Sequence, residues 1–144
     1  MLGIGFALFG DVGRFAARRD ETGVVFDGAN DLVQVLHNAA FNSLPLTLSA
    51  WVRTPTNSGA ILRKSNLADG YVLELRNGFL SASYVGLNGS SISIVSTQDA
   101  DALVGDDLWH HVALVVQANG AFLTVDGKIV GSGTWTGTPA VAAS

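Results

Sequence analysis

The chain has 144 residues, 48% of them hydrophobic and 14% charged, with 8 basic against 12 acidic side chains and a net charge of −4. That is the material of one folded domain with a real core, far from the charged, weakly hydrophobic composition of a disordered chain. The bases cluster no further than Arg18-Arg19 and Arg63-Lys64, short of the basic stripe a nucleic-acid binder needs, and the absence of cysteine excludes disulfides and thiolate metal sites.

The opening "MLGIGFALFGDVGRFAARRDE" has no basic segment ahead of its apolar run, and the run is too short for a bilayer. It therefore reads as neither signal peptide nor membrane span. Leu2, Ile4, Phe6 and Leu8 alternate with Gly3, Gly5 and Ala7, the period of a strand with one apolar face. Asp11 stands where a helix cap belongs, and Val12, Phe15 and Ala16 share one face of a candidate short helix ending at Arg18-Arg19. Residues 1–21 are thus expected to form an N-terminal apolar arm, and residues 22–144 the domain proper.

Beyond residue 22 the pattern is β throughout. Turn pairs recur in "RNGF" (76–79), "LNGS" (87–90), "ANGA" (118–121) and "VDGK" (125–128). Asn-Gly and Asp-Gly suit tight hairpin turns whose central residues take positive φ. Centring one turn on Asn77-Gly78 pairs Leu75 with Leu80, Leu73 with Ala82 and Tyr71 with Tyr84, which gathers the apolar side chains on one face. Centring another on Asn119-Gly120 pairs Val116 with Leu123 and Leu114 with Val125. Stepping back by twos then puts Val112, His110 and Leu108 inward, while Trp109, His111, Ala113, Val115 and Gln117 point outward.

That alternation bears on the adjacent histidines of "DDLWHHVALVV" (106–116). Neighbours in a strand face opposite sides of the sheet, so His110 and His111 do not converge on one metal ion. His110 reads as a satisfied histidine at the end of a core strand.

The segments "VVFDGANDLVQV" (24–35), "LTLSAWVRTP" (46–55), "GAILRK" (59–64), "YVLELRNGFL" (71–80), "DLWHHVALVV" (107–116) and "FLTVDGKIVG" (122–131) follow one another as in laminin-G-like domains. Over residues 22–135 the chain resembles that family, part of the concanavalin A-like lectin and glucanase superfamily. The resemblance implies an all-β fold, an antiparallel two-sheet jelly-roll sandwich. In the family a closing strand follows the "VDGK" hairpin and returns to the sheet. Here "GSGTWTGTPAVAAS" follows instead, so the closing C-terminal strand is expected to be missing. The Leu2–Leu8 arm is the candidate replacement, within its own chain or by adding to a neighbouring molecule.

Catalysis is not expected. Glycoside hydrolysis needs two carboxylates flanking the scissile bond, and the superfamily's glucanases carry theirs on one strand. This chain has only Glu21 and Glu74 as glutamates, and no strand presents two carboxylates on one face. There is no G-x-S-x-G elbow, P-loop or dinucleotide fingerprint.

Binding is the expectation that remains. Calcium is the cofactor the resemblance suggests, with oxygen donors in "DGAND" (Asp27, Asn30, Asp31) and "DADALVGDD" (Asp99, Asp101, Asp106, Asp107). Turn chemistry competes for the same residues, since Asp and Asn cap their own backbone. The candidate ligand face comprises Trp51, Arg53, Trp109, His111 and Gln117, where indoles, polar groups and a guanidinium suit a sugar. Each tryptophan also fits a packing role in the scaffold, and Trp135 reads as exposed. The expected function is a non-catalytic recognition module for glycans or a protein surface, extracellular or at a cell surface. The alternative is a structural assembly part, such as a virion decoration, tail or fibre protein, in which residues 2–9 join neighbouring subunits or dock to a host complex.

Overall fold

A computed structural model describes residues 2–5, 13–15, 18–19, 23–65, 70–86, 91–98 and 102–135. The strands in chain order are β1 (Leu2–Gly5), β2 (Gly13–Phe15), β3 (Arg18–Arg19), β4 (Val24–Phe26), β5 (Val33–Gln34), β6 (Leu46–Arg53), β7 (Gly59–Ser65), β8 (Gly70–Arg76), β9 (Phe79–Val85), β10 (Ser91–Val95), β11 (Trp109–Gln117), β12 (Gly120–Val125) and β13 (Lys128–Thr134). A 3-10 turn, Ala39–Asn42, precedes β6. The larger sheet has the order β13-β12-β11-β6-β1-β4-β3, the smaller β10-β9-β8-β7, and β2 pairs with β5. Every pairing among these strands is antiparallel.

Alternation builds the core between the two main sheets. Tyr71, Leu73 and Leu75 of β8, Leu80, Ala82 and Tyr84 of β9, and Ile92 and Ile94 of β10 are buried. They meet Ala50 and Val52 of β6, Val112, Leu114 and Val116 of β11, and Leu123 and Val125 of β12. Each fully buried aliphatic side chain contributes about 1.5–3 kcal/mol of transfer free energy.

The β8–β9 hairpin has the expected register, with Leu75 opposite Leu80, Leu73 opposite Ala82 and Tyr71 opposite Tyr84. Its turn takes positive φ at both Asn77 (54°) and Gly78 (84°). The β11–β12 hairpin differs from expectation. Its turn is Ala118-Asn119, with Gln117 opposite Gly120, so Leu114 faces Leu123 and Val116 faces Ala121. Gly120 serves close approach instead of turning: a Cβ there would lie 2.8 Å from the Gly133 carbonyl oxygen of β13. The pairing is displaced by two residues, which preserves which side chains face inward.

Three further expectations are corrected. The described residues of the candidate short helix are extended, Gly13–Phe15 pairing with β5 and Arg18–Arg19 with β4, while Asp11, Val12 and Ala16 lie outside the described residues. Leu108 is exposed, because it belongs to the bend before β11 and the alternation starts only at Trp109. Trp135 is 4% exposed, its indole Nε1–H donating to the Gln117 carbonyl at 2.8 Å and its ring edge meeting Tyr84.

The described part of the arm answers the missing-strand expectation within one chain. β1 lies between β4 and β6, Gly3 standing opposite both Val25 and Arg53 and Ile4 opposite both Val24 and Val52. Residues 6–9 of the arm, and the "LNGS" turn at 87–90, lie outside the described residues.

Candidate ligand-binding face

β6 and β11 run side by side in the larger sheet, and residues opposite one another share a face. His110 is opposite Val52 on the inner row, and His111 is opposite Trp51 on the outer. The two imidazoles are therefore divided between the sheet's faces. On the outer face Trp109 stands opposite Arg53, Ala113 opposite Ser49 and Val115 opposite Thr47.

Four of the five expected ligand residues come together there. Trp51 is 52% exposed and Trp109 37%, Arg53 is exposed, and the Trp51 and His111 rings lie 5.4 Å apart at 55°. Gly3 and Gly5 of β1 stand opposite Arg53 and Trp51, so the strand flanking the indole adds no side chain at those two positions. Gln117 is exposed but six residues along β11 from His111, about 20 Å away, and does not belong to the cluster.

A loop fixes the corner where this face ends. Residues 102–108 run from the smaller sheet to β11, with Val104 and Gly105 N–H groups donating to the Gly78 carbonyl and Asp107 N–H donating to the Thr54 carbonyl. Gly105 is required by contact: a Cβ would fall 2.9 Å from the Thr56 carbonyl oxygen and 3.0 Å from the Gly78 Cα. So placed, the loop delivers two carboxylates to two cations. Arg53 Nε donates to the Asp107 carbonyl at 2.9 Å and to Oδ1 at 3.1 Å. His110 has its Nε2 3.1 Å from Asp106 Oδ1 and its Nδ1 2.8 Å from Asp126 Oδ2.

Both ring nitrogens of His110 face carboxylate oxygens, and only the imidazolium can donate from both. Burial resists charging the ring, but the bonds to Asp126 and Asp106 outweigh it and raise the pKa above the ordinary 6.5. Asp126 is partly desolvated, yet the His110 ring and the His111 N–H (2.8 Å) hold its carboxyl below 3.8. Asp106 is likewise held below 3.8 against its desolvation, by the Leu108 N–H and by His110.

Asp106, Asp107 and Asp126 are the ion-pair partners of this corner that sequence reasoning did not connect to Arg53 and His110. The first two were candidate calcium donors and the third a turn residue. Asp107 lies 54 residues from Arg53 and Asp126 16 from His110, and both meetings depend on a loop path that no local pattern encodes, while Asp106, four residues before His110, reaches it across the bend ahead of β11.

The rest of the expected calcium set serves its own loop or cannot be placed. Asp27 Oδ1 accepts the Ala29 N–H at 2.8 Å, and Asp31 Oδ2 accepts the Asp27 N–H at 2.9 Å. Asn30 is exposed beside them, and Asp99 and Asp101 lie outside the described residues. Among the described residues no three His, Asp or Glu side chains gather where they could hold a metal ion.

No helix among the described residues is long and apolar enough to cross a membrane. Residues 27–144 match the family model of laminin-G-like domains described as the concanavalin A-like lectin/glucanases superfamily. Among solved structures, the chain is similar to domains LG4-5 of the mouse laminin alpha1 chain, at 27% identity and a TM-score of 0.54, covering 69% of this chain and 26% of that one. It is also similar in fold to the binding domain of Paraclostridial Mosquitocidal Protein 1, at 20% identity and a TM-score of 0.55, covering 67% of this chain and 27% of that one. The chain thus spans about a quarter of the length of each of these structures. No curated protein sequence matches it.

Proposed function

The chain belongs to the concanavalin A-like lectin/glucanase superfamily as a laminin-G-like domain, and from that premise we propose that it is a non-catalytic recognition module whose outer sheet face binds glycans. One observation carries the reading: Trp51 and Trp109 stand exposed on adjacent strands, in successive rows of one face. Aromatic side chains are large apolar surfaces that soluble proteins normally cover, and a sugar ring presents a matching face of C–H groups. Ser49 and Thr47 continue the β6 face with hydroxyls that complement those of a saccharide. Gly5, opposite Trp51 on β1, adds no side chain to that flank of the indole, which favours a ring lying flat on it.

The absence of catalysis is part of the proposal and has its own support. Both His110 nitrogens are engaged by carboxylates, leaving no lone pair to act as general base. Glu74 on the smaller sheet is paired with Arg76 at 2.7 Å. An extracellular or cell-surface location is proposed with this function. Assembly through residues 2–5 would require β1 to leave both of its hydrogen-bonded neighbours, which favours recognition over the assembly reading.

A glycan-array screen of the wild type beside Trp51→Ala and Trp109→Ala tests the proposal. Expected is retention of at least one saccharide class, weakened about tenfold or more by either substitution, with little change in melting temperature. Retention that neither substitution alters, or no retention of any saccharide, counts against it.

A further inference from the structure

If a glycan lies over Trp51 and Trp109, as proposed above and as this inference requires, the charge of that glycan is set by what surrounds Arg53. A guanidinium beside an indole is what an acidic sugar would engage, through paired N–H donors. Here the Nε edge of that guanidinium is already used. Arg53 Nε reaches the Asp107 carbonyl and Oδ1 at 2.9 and 3.1 Å, and Nη2 reaches Oδ2 at 3.4 Å.

The backbone is arranged to make that grip. Asp107 sits at φ 66°, in the left-handed region, with its N–H on the Thr54 carbonyl at 3.0 Å. A residue held there presents its carbonyl and its carboxylate to one guanidinium together. A uronate or sulfate gripping Arg53 by its Nε edge would have to displace Asp107, and one approaching from elsewhere would meet a guanidinium whose charge Asp107 already offsets. An uncharged sugar has no need of that edge.

We infer that this face selects uncharged glycans, and that Asp107 is the residue that sets the selectivity, by holding the Nε edge of Arg53 and offsetting its charge.

The test compares wild type, Asp107→Asn, Arg53→Ala and the double variant on neutral oligosaccharides, on their sulfated or uronate counterparts, and on a heparin column eluted with rising salt. Asparagine tolerates left-handed φ and keeps the side-chain oxygen, so it removes the charge with the least disturbance. Asp107→Gly, which accepts the same φ, is the second variant should the first unfold. Expected is a wild type that prefers neutral saccharides. Freed of Asp107, Arg53 should bind acidic glycans about tenfold more tightly, in a salt-sensitive way, and the double variant should lose that gain. The double variant is needed because Arg18, opposite Val25, stands about 14 Å across the sheet from Arg53. A wild type that prefers acidic glycans and loses them on Arg53→Ala overturns the inference while leaving glycan recognition intact. So do folded Asp107 variants that show no gain. If no variant retains any glycan of either class, the glycan reading itself falls and this inference with it.

Discussion

His110 and Asp126 approach to 2.8 Å and thereby tie the first turn of the β11 ladder to the β12–β13 hairpin. The same carboxylate accepts the His111 N–H, and the Asp126 N–H returns to the His111 carbonyl, so one turn residue closes the end of two strands. Asp106 completes the clamp from the other ring nitrogen. Replacing His110 with Gln leaves at least one partly buried carboxylate without its charged donor, and should cost about 1–3 kcal/mol in urea unfolding.

The clamp also fixes a pH dependence. The folded pKa of His110 is raised above 6.5, so the ring binds its proton more tightly in the folded state. Its contribution is fully present below pH 6.5 and is lost as pH rises through the folded pKa. Asp106 and Asp126 have folded pKa values below 3.8, so their contribution is present above 3.8 and is lost as pH falls through those values. Melting temperature should therefore be highest between about pH 4 and 6.5 and decline towards pH 9. The alkaline decline should flatten in His110→Gln. An equal decline in that variant would show that another group is responsible.

Trp135 should rank among the costliest side chains to remove, although it follows the last described strand. Its ring fills space beside Tyr84 with centroids 5.0 Å apart, and its Nε1–H satisfies the Gln117 carbonyl. Trp135→Ala should destabilise by about 3–5 kcal/mol and Trp135→Phe by less, because the smaller change leaves an aromatic ring in place but removes the donor. Tryptophan fluorescence offers a second check, since loss of a buried indole should remove a blue-shifted component of the emission.

Gly120 distinguishes the observed hairpin from the expected one. Were it a central turn residue, Ala there would be a question of φ alone. In the observed register the added methyl meets the Gly133 carbonyl oxygen at 2.8 Å, backbone that cannot rotate away. Gly120→Ala should cost about 1–3 kcal/mol through displacement of β13. Exchange of β12 and β13 amides should quicken while the β8–β9 hairpin stays protected. Uniform quickening in both sheets would contradict a local cause.

How much of this was legible in the sequence depended on how local the physics was. The β8–β9 pairing came out residue for residue because Asn77 and Gly78 both demand positive φ, which only one turn type supplies. The β11–β12 register did not, because its Asn-Gly pair is used differently: Asn119 turns, and Gly120 makes room for β13. Faces survived the slip, since a displacement of two leaves parity unchanged, and so the outward set Trp51, Arg53, Trp109 and His111 was correctly drawn from alternation. Gln117 shares the parity of Trp109 and His111, and parity says nothing of distance along a strand. Least legible were the partners. Asp107 lies 54 residues from Arg53 and Asp126 16 from His110, and both meetings depend on where loops return. Trp135 was misread for the same reason, its burial being decided by Tyr84 and the end of β11.

The position of β1 yields the last prediction. Its backbone bonds to β6 on one side and β4 on the other, with Gly5 opposite Trp51 and Leu2 opposite Phe26. Without it, β6 would present an open edge of unpaired N–H and C=O groups, and the β3–β4 pair would lose its attachment to the sheet. An exposed edge in the middle of a sandwich invites pairing with a second molecule. Deleting residues 1–5 should lower stability by several kcal/mol, from lost ladder bonds of about 0.5–1.5 kcal/mol each and from burial undone at the β4 end. Light scattering should then show association that grows with protein concentration. A truncated chain that remains monomeric with an unchanged melting temperature would mean that β6 does not depend on this neighbour. It would also remove the reason for treating the glycine flank beside Trp51 as part of the binding face.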